Sequence, residues 1–169
     1  MIKKLKQLSV VFSIIFFVTS CGGDDDSSNS SADIQLDIDG VTYQLDAFAA
    51  VLSNGGRFLA ITGTNSSGDQ IEIRLGSFFN DDADLLTEQS YAVEGESTVF
   101  YGFDLINNPQ TTEILAIIES TNGTISITNL DTDSNRVSGT FSGTAIDGLG
   151  TTFTIANGVF NNIEYTFHD

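Results

Sequence analysis

Cysteine, histidine, proline and methionine each occur once in these 169 residues, and tryptophan does not occur. A single thiol allows no internal disulfide. One Cys and one His also fall short of the ligand count for a zinc site of thiolates and imidazoles. A Ser-His-Asp or Cys-His constellation would have to use His168, the penultimate residue, where chain ends fray. Positive charge is equally scarce: Lys3, Lys4 and Lys6 stand at the start, and only Arg57, Arg74 and Arg136 follow. All 23 acidic residues come after Cys21 against those three arginines, a net of −20 for that portion. Such a chain has no basic stripe with which to release counterions from a phosphate backbone, so nucleic acid is excluded as a partner. The same charge favours solubility and disfavours docking on anionic lipid.

What the first twenty residues do contain is an address. Three lysines precede an apolar run of 11 residues, Leu8 to Val18. That is the length of a secretory-signal core and too short to span a bilayer. Val18-Thr19-Ser20-Cys21 then resembles a bacterial lipobox. In that pattern the signal is cut before the cysteine, whose thiol receives a diacylglycerol, and the new amine is acylated with a fatty acid such as palmitate. Two or three acyl chains anchor stably where one does not. Gly22 to Asp33 holds no large apolar side chain and reads as a flexible tether. Its Asp24-Asp25-Asp26 run resembles the acidic export signal of Bacteroidetes surface lipoproteins. The expected organisation is therefore a removed signal at 1–20, a lipidated Cys21 with tether to residue 33, and a globular domain over 34–169. The expected location is the outer membrane, facing outward, with the periplasmic face as the alternative.

After residue 33 the dominant pattern is period-two alternation broken by turn residues. Ile34, Leu36 and Ile38 lead to Asp39-Gly40 and then to Val41, Tyr43 and Leu45, a strong hairpin signal. Further strand patterns occupy 57–64, 69–78, 97–105, 111–120, 122–131, 135–146 and 151–167. The last breaks at Asn157-Gly158 and Asn161-Asn162. Residues 46–55 fit a strand slightly better than a short helix, and the acids of 80–90 mark an exposed loop. The expected fold is all-β and single-domain: an antiparallel β-sandwich or partly open barrel of about nine or ten short strands.

Three of these stretches resemble a known group. Ser138 to Ser142 (Ser-Gly-Thr-Phe-Ser), Ile155 to Ile163 (Ile-x-Asn-Gly-x-Phe-x-x-Ile) and the opening pair "DIDGVTYQLDA" are similar to an uncharacterised family of Bacteroidetes lipoproteins, catalogued as a domain of unknown function. The resemblance runs over most of 34–165. It implies a β-rich surface lipoprotein and supplies no active-site residues.

Chemistry-bearing candidates are few. Asp81, Asp82, Asp84, Glu94 and Glu96 are the candidates for a carboxylate pair in glycoside hydrolysis, but all lie in polar loop text without the burial that raises a carboxyl pKa. Asp131-x-Asp133-x-Asn135 starts like a calcium loop, yet Arg136 and Ser142 stand where Gly and Glu are required, so an Asx-stabilised hairpin turn is expected there. No catalytic residue, metal ligand or cofactor is assigned. The expectation is a non-enzymatic module held by membrane lipid through Cys21, binding a protein, glycan or small molecule. The alternatives are a carboxylate-dependent hydrolase of a surface polymer and a purely structural envelope lipoprotein.

Overall fold

Asp39 and Gly40 take φ values of 48° and 83°, the two left-handed positions of a tight hairpin turn that Asp and Gly accept at low cost. They fold β1 (Ile34–Ile38) onto β2 (Val41–Ser53) with Ile34 opposite Leu45 and Leu36 opposite Tyr43. The computed structural model describes residues 32–93, 100–106 and 117–169. The chain continues through β3 (Phe58–Thr64), β4 (Gln70–Gly76), a long loop, β5 (Ser90–Ala92), β6 (Phe100–Ile106), β7 (Ile117–Asp131), β8 (Arg136–Asp147), β9 (Thr152–Glu164) and β10 (Thr166–Phe167). One turn of 3-10 helix, Asn54–Gly56, joins β2 to β3.

All ten strands belong to one curled sheet, so the partly open barrel is the realised alternative and the two-sheet sandwich is not. Successive strands pair antiparallel from β1 to β4, then β4 with β6, and on through β7, β8 and β9. β1 then pairs with β9 as well as with β2, which returns the sheet upon itself. The seam is thinnest at β6–β7, where three residue pairs join the strands among the described residues. β5 takes up the next stretch of the β7 edge, with Tyr91 opposite Ile125. Eight strands around a ring leave an interior just wide enough for side chains to fill. Here Ile34, Leu36, Leu45, Leu59, Ile61, Ile71, Ile73, Leu75, Ile125 and Phe160 fill it, none more than 1 % exposed.

The strands are longer than expected, and two breaks read from the sequence are not strand ends. The 122–131 pattern is the continuation of a strand that begins at Ile117, so β7 runs 15 residues; residues 111–116 of the neighbouring pattern lie outside the described residues. β9 likewise runs unbroken from Thr152 to Glu164. Asn157 and Asn162 take φ of 52° and 53° within it, and the β8–β9 register shifts between Phe141 and Gly143 and between Val137 and Gly139. These are bulges: each bends the strand while the ladder resumes beyond it. Residues 46–55 fall mainly in β2, as the strand reading expects. A bulge between Ala47 and Ala49 slips the alternation by one. Leu45 therefore faces the core before it, Ala50 and Leu52 after it, and Phe48 is left 61 % exposed.

The two Gly-x-Phe steps form an interlock. In the β8–β9 register Gly139 lies opposite Phe160, and Phe141 opposite Gly158. A Cβ on Gly139 would stand 2.2 Å from Phe160 Cζ and 2.3 Å from Ser126 O, and one on Gly158 would stand 2.7 Å from the Phe141 ring. Each glycine thus leaves the space that the opposing ring fills. Gly139→Ala is expected to lower stability in urea unfolding by about 1–3 kcal/mol through overpacking. Phe160→Ala is expected to lower it by about 3–5 kcal/mol through the cavity it leaves. Val159→Ala, at an exposed position between Gly158 and Phe160, should stay within about 0.5 kcal/mol. Equal, small effects at all three positions would disprove the interlock.

Candidate functional site

The antiparallel order places the end of β2, the start of β3, the end of β4, the end of β7 and the end of β9 at one end of the barrel. Loop 77–89 crosses that end from β4 to the β7 edge. Its fixed points are apolar and buried: Leu86 and Tyr91 enter the core at 6 % and 8 % exposure. The Tyr91 hydroxyl accepts from Thr87 N at 2.8 Å and donates to Thr87 O at 3.0 Å.

Polar contacts hold the same loop to the β2–β3 turn. Asn54 Nδ2 donates to Ser77 O (3.0 Å) and to Asn80 O (3.3 Å), and Arg57 Nε donates to Ala83 O (2.9 Å). The backbone adds Ser77 N to Arg57 O and Leu86 N to Gly56 O. Asn80 organises its own turn, its carboxamide oxygen accepting from Asp82 N at 3.0 Å and its carbonyl from Ala83 N at 3.1 Å. A loop held this way keeps the shape of what it presents.

It presents aromatic rings. Phe58 meets Phe78 edge-on with centroids 5.4 Å apart, and Phe78 meets Phe79 at 5.0 Å. Both separations suit the ring quadrupoles. Phe78 is 53 % exposed, Phe79 90 % and Leu85 54 %. A groove of about 500 Å³ lies alongside, lined by Val51, Ser53, Asn54, Phe78, His168 and Asp169. The buried Ser53 hydroxyl has no hydrogen-bond partner among the described residues. Beyond the five residues of β1, which pair with both β2 and β9, a second groove of about 510 Å³ opens between Phe48, Ala49, Arg136, Asn162 and Thr166. Arg136 is committed there to Asn162 O (2.8 Å) and Glu164 Oε2 (3.1 Å).

The sequence-assigned site residues fall as follows. Val18, Thr19, Ser20, Cys21, Asp24, Asp25 and Asp26 lie outside the described residues, as do Glu94 and Glu96. Asp81, Asp82 and Asp84 are exposed on loop 77–89 beside the aromatic rings. His168 is exposed on the β10 side of the groove, its backbone N–H bonded to Leu52 O. Among the described residues no three His, Cys, Asp or Glu side chains gather as a metal site would require. The sequence reading found this loop by its acids and missed its rings, because it extended the β4 pattern to Phe78. A signal was present: Ile71, Ile73 and Leu75 set an inward phase that reaches Ser77, so Phe78 lies off-phase and Phe79 follows a broken pattern.

A family model, Domain of unknown function (DUF6252), matches residues 30–164. The chain belongs to this family. The matched span takes in the whole ring of strands and loop 77–89, together with both Gly-x-Phe steps. No curated protein and no solved structure matches the chain.

The Asp131–Asn135 segment is the β7–β8 hairpin turn. Asp131 Oδ1 accepts from Asp133 N (2.9 Å) and Ser134 N (3.0 Å), and Oδ2 accepts from Ser134 Oγ (2.6 Å). The Ser134 hydroxyl above all, then its backbone N–H, holds this carboxyl below its ordinary value of 3.8. Because these bonds favour the charged form, their stabilisation is present above about pH 4 and is lost as pH falls through the lowered value. D131N should therefore melt below the wild type at neutral pH, and the gap should narrow as pH is taken from 5 to 2. A gap unchanged across that range would show that the charge does not hold the turn.

Proposed function

We propose that this chain is a lipid-anchored module on the outer face of a bacterial outer membrane, which works by binding rather than by catalysis. The observation that carries the reading is the order of its parts: basic residues, an apolar run, Val18-Thr19-Ser20-Cys21 and an acidic polar stretch, all directly before the first strand. The 12 residues from Gly22 to Asp33 span at most about 40 Å when extended, enough to lift the barrel clear of a lipid surface. β1 runs from Ile34 toward the Asp39-Gly40 turn, so the tether joins at the end of the barrel where loop 77–89 lies. Binding is favoured over hydrolysis by what the surface offers. Its carboxylates in loop 77–89 are exposed, whereas a general acid needs burial to hold its proton at neutral pH.

Two measurements test the address. Cys21→Ala should move the protein from the membrane fraction and the detergent phase to the soluble fraction; unchanged partition would refute the anchor. Replacing Asp24, Asp25 and Asp26 with Ala should leave the protein membrane-bound while protecting it from protease added to intact cells. Equal digestion of the variant and the wild type would refute the export role of the acidic run.

A further inference from the structure

We propose that the Phe78, Phe79 and Leu85 face of loop 77–89 is a docking surface for a protein segment in which an apolar side chain is flanked by lysine or arginine. The proposal rests on the binding-module reading and names the partner's chemistry. Three apolar side chains on one loop, each more than half exposed and two of them in ring contact, are an unusual thing for a soluble surface to hold out. Disorder does not account for their exposure. Asn54, Arg57 and Gly56 hold the loop backbone from one side, and Leu86 and Tyr91 are sunk in the core on the other. Rings presented on a fixed backbone lose little entropy on binding, which is how aromatic anchors come to dominate interfaces.

Charge decides the occupant. Asp81, Asp82 and Asp84 stand between Phe79 and Leu85, and Asp169 lines the adjoining groove. Several acids elsewhere serve the fold: Asp33 accepts from Ala47 N, Asp39 from Thr154 N, Asp131 from its turn and Asp147 from Leu149 N and Thr151 N. Among the described residues the carboxylates of Asp81, Asp82 and Asp84 make no hydrogen bond and no ion pair. Arg74, the nearest cation in sequence, pairs with Glu72 at 3.8 Å. Arg57, which bonds to the loop itself, is turned to the carbonyls of Ala83 and Asn54, so neither forms an ion pair with these acids among the described residues. An apolar face rimmed by uncompensated acids attracts a cationic amphipathic segment and repels an anionic bilayer.

The test uses the full chain in detergent, challenged with a random decapeptide display library, followed by calorimetry of the most enriched peptide against three proteins. Enriched sequences should combine an apolar residue with neighbouring Lys or Arg. F79S/L85S, which alters only exposed side chains, should weaken binding at least tenfold. D81N/D82N/D84N should weaken it at low salt, and its difference from the wild type should shrink in 0.5 M NaCl. Peptides that lack basic residues, or that bind F79S/L85S as tightly as the wild type, overturn the docking surface and leave the binding reading intact. Absence of any enrichment likewise overturns the docking surface, and leaves the binding reading to glycans and small molecules. Sedimentation with phosphatidylglycerol vesicles that is lost in F79S/L85S assigns the face to lipid and overturns the protein partner.

Discussion

β1 is five residues long and has a partner on each edge, β2 on one side and β9 on the other. The ring closes through it, and its position is fixed from behind by a single aromatic residue. Phe160 of β9 stands opposite Ile34 of β1 and opposite Gly139 of β8, and is fully buried. Were Gly139 to carry a Cβ, that ring could not keep its place, because Ser126 O of β7 closes the other side of the space. Four strands are thus set against one another at one point. Gly158 does the same for Phe141 two residues along. A small barrel has little core to spare, so dense packing at the closing strand carries more weight than it would in a larger domain.

This explains why part of the fold was legible and part was not. The β1–β2 hairpin could be read because Asp-Gly sits between two runs in the same phase. Most strand positions could be read because Ile71, Ile73, Leu75 and their like alternate cleanly. The Gly-x-Phe steps were visible as motifs, but their pairing across β8 and β9 depends on register, which local pattern does not encode. Asn157 and Asn162 look like punctuation, and in a hairpin they would be. Within β9 the neighbouring ladders of β1 and β8 outweigh the local preference and turn both residues into bulges. Phe48 is the reverse case: nothing in "DAFAAVLS" announces the slip, yet the slip is what lets Leu45 and Leu52 share one interior. Of the site, the acids of loop 77–89 were legible and the rings were not, since the apolar Phe78 looks like a continuation of the β4 pattern that in fact ends at Gly76.

The acidity of the chain also resolves into two populations. One belongs to the turns and strand edges. Asp37 accepts from Thr42 Oγ1 and Asn157 Nδ2, Asp131 and Asp147 each satisfy several donors, and all three carboxyls are held below their ordinary pKa by those bonds. These are acids that a chain poor in proline and rich in tight turns needs for geometry. The other population, Asp81, Asp82 and Asp84 of loop 77–89, satisfies no donor among the described residues, whereas Glu88 of the same loop accepts from Leu130 N. Total charge therefore overstates how much of the acidity is free to act on a partner, and position within the fold separates the two kinds.

With Ile, Leu and Phe side chains filling the interior, what the barrel offers other molecules lies on its outside, and its most distinctive outside feature is at one end. The β2–β3 turn gains its shape from Asn54, at φ 52°, and from Arg57, both of which also bond to loop 77–89. Closing the barrel and shaping the loop are consequently one act of folding. Ser77 N reaches Arg57 O as the next rung beyond Gly76 and Phe58, so the β3–β4 ladder runs on into the loop without a hinge. A face built as an extension of the sheet inherits the sheet's rigidity, and this is the physical reason that exposed rings at Phe78 and Phe79 stay exposed and do not fold back onto the apolar surface beneath them.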